Sequence, residues 1–217
     1  MPRRIDISKI NFSGLIMLML LVGLMAAAMT HPPSEYRVPK ITEQDRRVTA
    51  YHESGHALLA ANLPASGGIL HVTIVSRWGM LGSLTQAPAS GRESASRHQA
   101  RRMAELIIAM GGLIAEEILL PSDAATEART SDIKRAEKIA YELLGGPDSG
   151  LTPAAIETAM RRLTQAAEQR ARDILSAHET QLHALAANLL RQGTLSGAEI
   201  AIILDGGALQ EPREKTG

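Results

Sequence analysis

The segment Tyr51-His52-Glu53-Ser54-Gly55-His56 constrains this chain more than any other, because it sets two histidines four residues apart with a carboxylate directly after the first. On a helix both imidazoles lie on one face, one turn apart, where two ring nitrogens can reach a single zinc ion. Glu53, about 100° further round the helix, is placed to approach a water on the metal and not the metal itself. The chemistry predicted is metal-assisted hydrolysis. Zinc lowers the pKa of its bound water to about 7, and a carboxylate beside it accepts the proton as the water attacks a peptide carbonyl. The plainer alternative is a pair of satisfied core histidines. The setting argues against it: Val48, Ala50, Ala57, Leu58, Leu59, Ala60 and Ala61 make the segment apolar, and unliganded histidines with an acid are costly to bury there.

A third protein ligand is required, and no further histidine follows within the next dozen residues. Cysteine is absent, so disulfides and thiolate zinc sites are excluded and the ligands must be N and O donors. Asp132, at the start of an amphipathic helix expected over residues 132–144, is the candidate. Spacing does not select it, because an acid at a helix N-terminus is favoured by the macrodipole in any case.

The chain before the motif divides in two. Arg3, Arg4 and Lys9 precede an uncharged apolar run, and residues 10–29 are long enough to span a bilayer as one transmembrane helix. A cleaved secretory signal is the competing reading of residues 1–30, since a basic start, an apolar centre and Ala26-Ala27-Ala28 satisfy its pattern as well. Charge does not orient the span, because Arg37, Lys40, Arg46 and Arg47 balance the basic residues ahead of it. Residues 31–41, with Pro32-Pro33, form an extended linker, and residues 42–205 form the domain.

Within that domain the pattern predicts a mostly helical fold with a small β-hairpin or sheet. Hydrophobic residues make up 45% of the chain and aromatics 2%, which favours helices over a β-sandwich. A helix over residues 42–62 carries the motif and is stopped by Pro64 and Gly67-Gly68. Two strands follow, over residues 69–75 and 81–85. Leu81, Gly82, Ser83, Leu84 and Thr85 form a short edge strand that can hydrogen-bond an extended substrate, with plain hairpin pairing as the alternative. His71 reads as a structural strand histidine. Residues 92–102 suit an exposed loop leading into a helix over 103–120 that is interrupted at Gly111-Gly112, a pair that signals close packing or a break. Glu116 and Glu117 pass on spacing alone as solvated charges. Helical periodicity resumes after Thr152-Pro153, Ser196 and Glu199 form a capping box for a last helix ending near Asp205, and residues 206–217 read as a disordered tail.

Five blocks of the sequence resemble, in order, the peptidase domain of the FtsH family of membrane-bound, ATP-dependent zinc metalloproteases. They are His52-Glu53-Ser54-Gly55-His56, then His71-Val72-Thr73-Ile74-Val75 with Leu81-Gly82, then Gly111-Gly112-Leu113-Ile114-Ala115-Glu116-Glu117, then Ser131-Asp132-Ile133, and Leu195-Ser196-Gly197-Ala198-Glu199-Ile200. The resemblance implies that His52, His56 and Asp132 ligate one zinc ion per chain, that Glu53 is the catalytic base, and that Glu116 and Glu117 support the site from behind. It also implies a cytoplasmic peptidase domain and assembly into a homo-oligomeric ring. Ser131 and Leu113 depart from the pattern, where the family usually has asparagine and arginine.

The expected function is a single-pass, membrane-anchored zinc endopeptidase acting on unfolded or membrane-associated polypeptides. No Gly-x-x-x-x-Gly-Lys-[Ser/Thr] loop occurs, so no ATPase module is expected here and a separate ATPase becomes an expected partner. The alternative is a non-catalytic peptidase-like adaptor that docks on a full-length homologue, which an intact Glu53 argues against. Lys+Arg and Asp+Glu are equal at 23 each, and no nucleic-acid role is expected.

Overall fold

Thr42 opens the first described helix with a reciprocal cap: its hydroxyl accepts from Asp45 N–H at 3.1 Å, and Asp45 accepts from Thr42 N–H at 2.8 Å. This helix, α1 (Glu43–Asn62), runs until Leu63 turns extended and Pro64 starts a short 3₁₀ turn. From Thr49 to Ala60 every residue is buried, so α1 has no solvent face in this stretch and must be enclosed by the rest of the fold. The computed structural model describes residues 41–75, 82–88, 93–119 and 127–209. The expected anchor over residues 10–29, the signal alternative, the linker up to residue 40, and the tail from residue 210 lie outside them. Among the described residues no helix is long and apolar enough to cross a membrane.

Three strands follow from both ends of the domain. β1 (Ile69–Thr73) pairs antiparallel with β2 (Ser83–Gln86) in the register Val72 to Leu84, with an irregularity between Ile69 and His71. On its other side β1 pairs antiparallel with β3 (Thr194–Ser196), in the register Val72 to Leu195. The small sheet is therefore three-stranded in the order β2-β1-β3, as a mostly helical fold with a small hairpin or sheet allows; the sequence pattern marked two of its strands and not β3. Three residues carry too little periodicity to read as a strand, and Leu195 was legible only as part of a helix start. Alternation turns Val72 and Leu195 into the core, both fully buried, and leaves Thr73 and Thr194 to share a 2.7 Å hydroxyl contact on the other face.

The helices are α2 (Ala95–Ala109), α3 (Gly111–Leu119), α4 (Glu127–Leu143), α5 (Pro153–Ala177), α6 (Glu179–Gln192) and α7 (Gly197–Leu204). The predicted break at Gly111-Gly112 falls at Met110, between α2 and α3. α2 starts at Ala95 under a Ser94 cap, so most of the span expected as a loop is helical; Ser94, Ser96 and Arg97 face solvent, while Arg101 and Arg102 are half-buried in ion pairs with Glu93, Glu105 and Glu142. α4 starts five residues ahead of Asp132, which places that acid in the second turn and not at the N-terminus. The capping box of Ser196 and Glu199 starts α7, and Asp205 closes it. α1 is central, packed along α3 on one side and α6 on the other, with α2, α5 and β1 completing its enclosure. Leu58, Leu106, Ile108, Ile114, Leu182 and Leu189 fill the space between these helices.

Candidate metal centre

Burying α1 on all sides brings its polar residues inside. His52, Glu53 and His56 are each about 5% exposed, and each ring is fixed from behind. His56 Nδ1 lies 2.7 Å from the carbonyl of Ile108, which can only accept, so Nδ1 carries the proton. His52 Nδ1 lies 2.7 Å from Glu116 Oε1, another acceptor. Both Nε2 atoms are thereby left as lone-pair donors, 3.1 Å apart. Asp132 Oδ2 completes a triangle, 3.0 Å from His52 Nε2 and 2.9 Å from His56 Nε2.

Two lone pairs and a carboxylate oxygen at such distances repel unless a cation lies among them. The three atoms form a group able to hold a metal ion. The spacing fits: tetrahedral ligands about 2.0 Å from zinc stand about 3.3 Å from one another, near the separations here. Without a metal the cation is a proton. Burial would lower the His52 pKa, but hydrogen bonds to Asp132 and Glu116 and the nearby carboxylate charges outweigh it and raise the group to about 9. For Asp132 burial acts upward, yet the two histidines hold its carboxyl below the ordinary carboxylate range.

Glu53 is in a different situation. Burial raises its pKa, with the charges of His56 and His52 opposing, which suits a carboxylate that must take up a proton. Its carboxylate lies under the start of β2: a Cβ added to Gly82 would stand 2.4 Å from Glu53 Oε1. Gly82 has φ +79°, a conformation other residues rarely adopt. The remaining glycines of the sequence blocks are packing positions. A Cβ on Gly55 would meet the carbonyl oxygen of Gly111 at 2.2 Å, and one on Gly112 would meet the His52 ring at 2.3 Å.

The structure thus brings together His52, Glu53, His56, Asp132, Glu116 and Gly82. Glu117 lies apart. It is half-buried and bonds Arg172 Nη2 at 2.9 Å and Arg129 Nη2 at 3.4 Å, with no contact to the histidines. Ser83, Leu84 and Thr85 form the edge strand β2, while Leu81 lies outside the described residues. His71 stays on the sheet, 3.2 Å from Thr85 Oγ1. Sequence reasoning missed Ile108, whose contribution is a backbone carbonyl that any residue could supply, and Arg129, one of many arginines on exposed helices.

Residues 39–145 match the family model described as Peptidase family M41. The chain carries an FtsH-family peptidase domain. It is 31% identical over 202 residues to the ATP-dependent zinc metalloprotease FTSH 11, chloroplastic/mitochondrial, of Arabidopsis thaliana, covering 85% of this chain and 25% of that protein. Identity to the ATP-dependent zinc metalloprotease FtsH of Rickettsia conorii is 33% over 200 residues, 80% of this chain and 31% of the relative. The mouse ATP-dependent zinc metalloprotease YME1L1 is 34% identical over 192 residues, 81% of this chain and 27% of the relative. The chain spans about a quarter to a third of the length of these curated relatives. As an FtsH-family domain it contains both histidines of the motif and Asp132, and the M41 match ends at residue 145, after α4.

Proposed function

We propose that this domain is a zinc endopeptidase that hydrolyses extended segments of polypeptide. The observation that carries the reading is the triangle of His52 Nε2, His56 Nε2 and Asp132 Oδ2, with the buried Glu53 beside it. Its relatives are named zinc metalloproteases, which selects zinc among the cations such a site could take. Zinc, when bound, supplies a Lewis acid that acidifies a water and polarises a carbonyl. Glu53 takes the proton of the attacking water and passes it to the amide nitrogen as the peptide bond breaks. Burial raises its pKa, which favours the uptake of that proton. Glu116 and the Ile108 carbonyl hold the two imidazoles so that Nε2 faces the metal.

β2 lies at one edge of the described sheet and begins above Glu53. A substrate strand added along it would run its backbone past the base, which supports Gly82, Ser83, Leu84 and Thr85, with Leu81, as the binding ledge. Residues 10–29 would anchor the domain to a membrane as a single span, with the domain on the cytoplasmic side. These 217 residues hold no phosphate-binding loop, so their hydrolytic step is proposed to need no nucleotide, and ring assembly or an ATPase partner would act on substrate delivery.

Incubating the purified chain with an unfolded polypeptide, with and without a chelator, tests the reading. Chelator-sensitive cleavage that Glu53→Gln abolishes is expected. A zinc-loaded chain that cleaves nothing would overturn it in favour of a binding subunit.

A further inference from the structure

The ligands of the triangle come from two helices with little direct packing between them. His52 and His56 are on α1, whereas α4, which carries Asp132, packs chiefly against α2 and α5. Helix α3 mediates: it lies along α1, and its Glu116 holds His52 Nδ1 at 2.7 Å. What ties α3 to α4 beside the site is Arg129, one helical turn ahead of Asp132 on α4. Its Nε lies 3.9 Å from Glu116 Oε2 and its Nη2 lies 3.4 Å from Glu117 Oε1. Glu117 is held in turn by Arg172 of α5. The Arg129 side chain is 17% exposed and that of Glu116 is 5% exposed, so the pair is shielded from water in a way that surface pairs are not.

We propose that Arg129 is a positioning residue of the metal centre: it locks Glu116 against His52 and ties that pair to the helix that delivers Asp132. One oxygen of Glu116 accepts from His52, and the guanidinium faces the other. A guanidinium beside that far oxygen holds the carboxylate in place against His52 Nδ1, so the ring stays oriented with Nε2 toward the metal. The same guanidinium spans two successive carboxylates of α3, an arrangement its planar fork suits better than an ammonium does. Arg129 therefore acts on both halves of the ligand set without touching the ion. The inference rests on the zinc reading above, and its test reads metal affinity and not hydrolysis.

The experiment measures Zn²⁺ affinity of the full chain by competition with a chelating dye, together with the Tm of the metal-free protein. Arg129→Met is expected to weaken binding by at least about fivefold, somewhat less than the roughly 10- to 100-fold seen for groups that hold a metal ligand directly, because Arg129 acts one contact further out, and Arg129→Lys to recover part of that loss. Arg161→Met, which removes an exposed pair on α5, serves as the control and leaves affinity unchanged. The visible spectrum of Co²⁺ in the site, which reports ligand geometry, should change in Arg129→Met and not in the control. A loss under fivefold overturns the proposal. So does an equal loss in the Met and Lys variants that tracks a fall in metal-free Tm, since that marks a merely structural residue. If Arg129→Met does not fold, Glu117→Gln replaces it; an affinity loss of about two- to fivefold is expected, below the roughly 10- to 100-fold of groups that touch a ligand directly because Glu117 only steadies Arg129, and no loss overturns the role. Failure of the unaltered chain to bind Zn²⁺ would overturn the metal centre, and the role of Arg129 with it.

Discussion

Glu53 and Asp132 are both acids in the same recess, yet their surroundings shift them in opposite directions, as the tasks proposed for them require. Asp132 sits between two histidines that stabilise its charge, while Glu53 is destabilised as an anion by burial. Asp132→Ala should therefore lose zinc, whereas Glu53→Gln should keep it and lose about 10²- to 10⁴-fold in hydrolysis, the usual weight of a general base; metal analysis beside a peptidase assay checks both. The charges also set a pH signature. In the metal-free chain the raised His52 contributes stability in full below its ordinary value of about 6.5, and the contribution disappears as pH rises through about 9. The depressed Asp132 contributes above the ordinary carboxylate range and loses its contribution as pH falls. Metal-free protein should thus be most stable between about pH 4 and 6.5, toward the lower part of that window because the raised Glu53 loses its contribution as pH climbs above its ordinary value of about 4.5. Zinc-loaded protein, in which His52 holds no proton, should lose stability as the solution is acidified below about pH 6. Thermal melts with and without chelator decide this, and two parallel pH curves would reject it. The histidine pair and Glu53 were legible in the sequence because four-residue spacing on a helix is itself geometry. Asp132 was not, since an acid near a helix start is ordinary and only the fold brings it back to α1; the resemblance named it where spacing left it open.

At the scale of elements the glycines carry the precision. Gly55 and Gly111 let α1 and α3 touch backbone to backbone, and neither partner can swing aside as a flexible side chain would. Gly55→Ala should cost about 1–3 kcal/mol or more in folding stability through overpacking and should weaken zinc binding as α3 retreats, which denaturant melts with metal titration will measure. Gly82→Ala is expected to behave differently: it strains one loop residue and pushes on the Glu53 carboxylate, so activity should fall by more than tenfold while the fold and the zinc are kept. Equal stability loss in the two variants would contradict this division. The helices were largely readable, because Thr42, Pro64, Thr152 and Ser196 mark boundaries by local chemistry. β3 was not, since a three-residue strand exists only by virtue of the partner it meets. The start of α4 was placed late for a related reason: Glu127 to Ser131 is polar, and its helical state is supported by the contacts of Arg129 with α3 and not by an apolar stripe.

For the whole molecule, the proposed approach along the edge strand β2 would demand a substrate already extended. A stable folded domain exposes such a segment only through rare opening, with a population set by its own stability. The isolated chain should therefore cleave a destabilised variant of a test domain far faster than its stable parent, and ATP should change neither rate; equal cleavage of both, or stimulation by ATP with no partner present, would contradict this. The overall plan, helices around a buried motif, followed from composition and from the apolar setting of His52 and His56. Its closure did not, because the central strand is completed by residues from far along the chain: Thr73 and Thr194, in contact at 2.7 Å, are 121 residues apart. That separation has a consequence during synthesis. At about 5–20 residues per second, a ribosome needs on the order of ten seconds after making β1 before β3 can join it. Throughout that interval β1 lacks one neighbour and Val72 lacks the cover of Leu195, so the sheet beside Glu53 stays unfinished. On the proposed reading, a nascent chain would be kept from holding its own or a neighbouring unfolded segment in register, and proteolytic competence would arrive late, after nearly all of the domain has emerged.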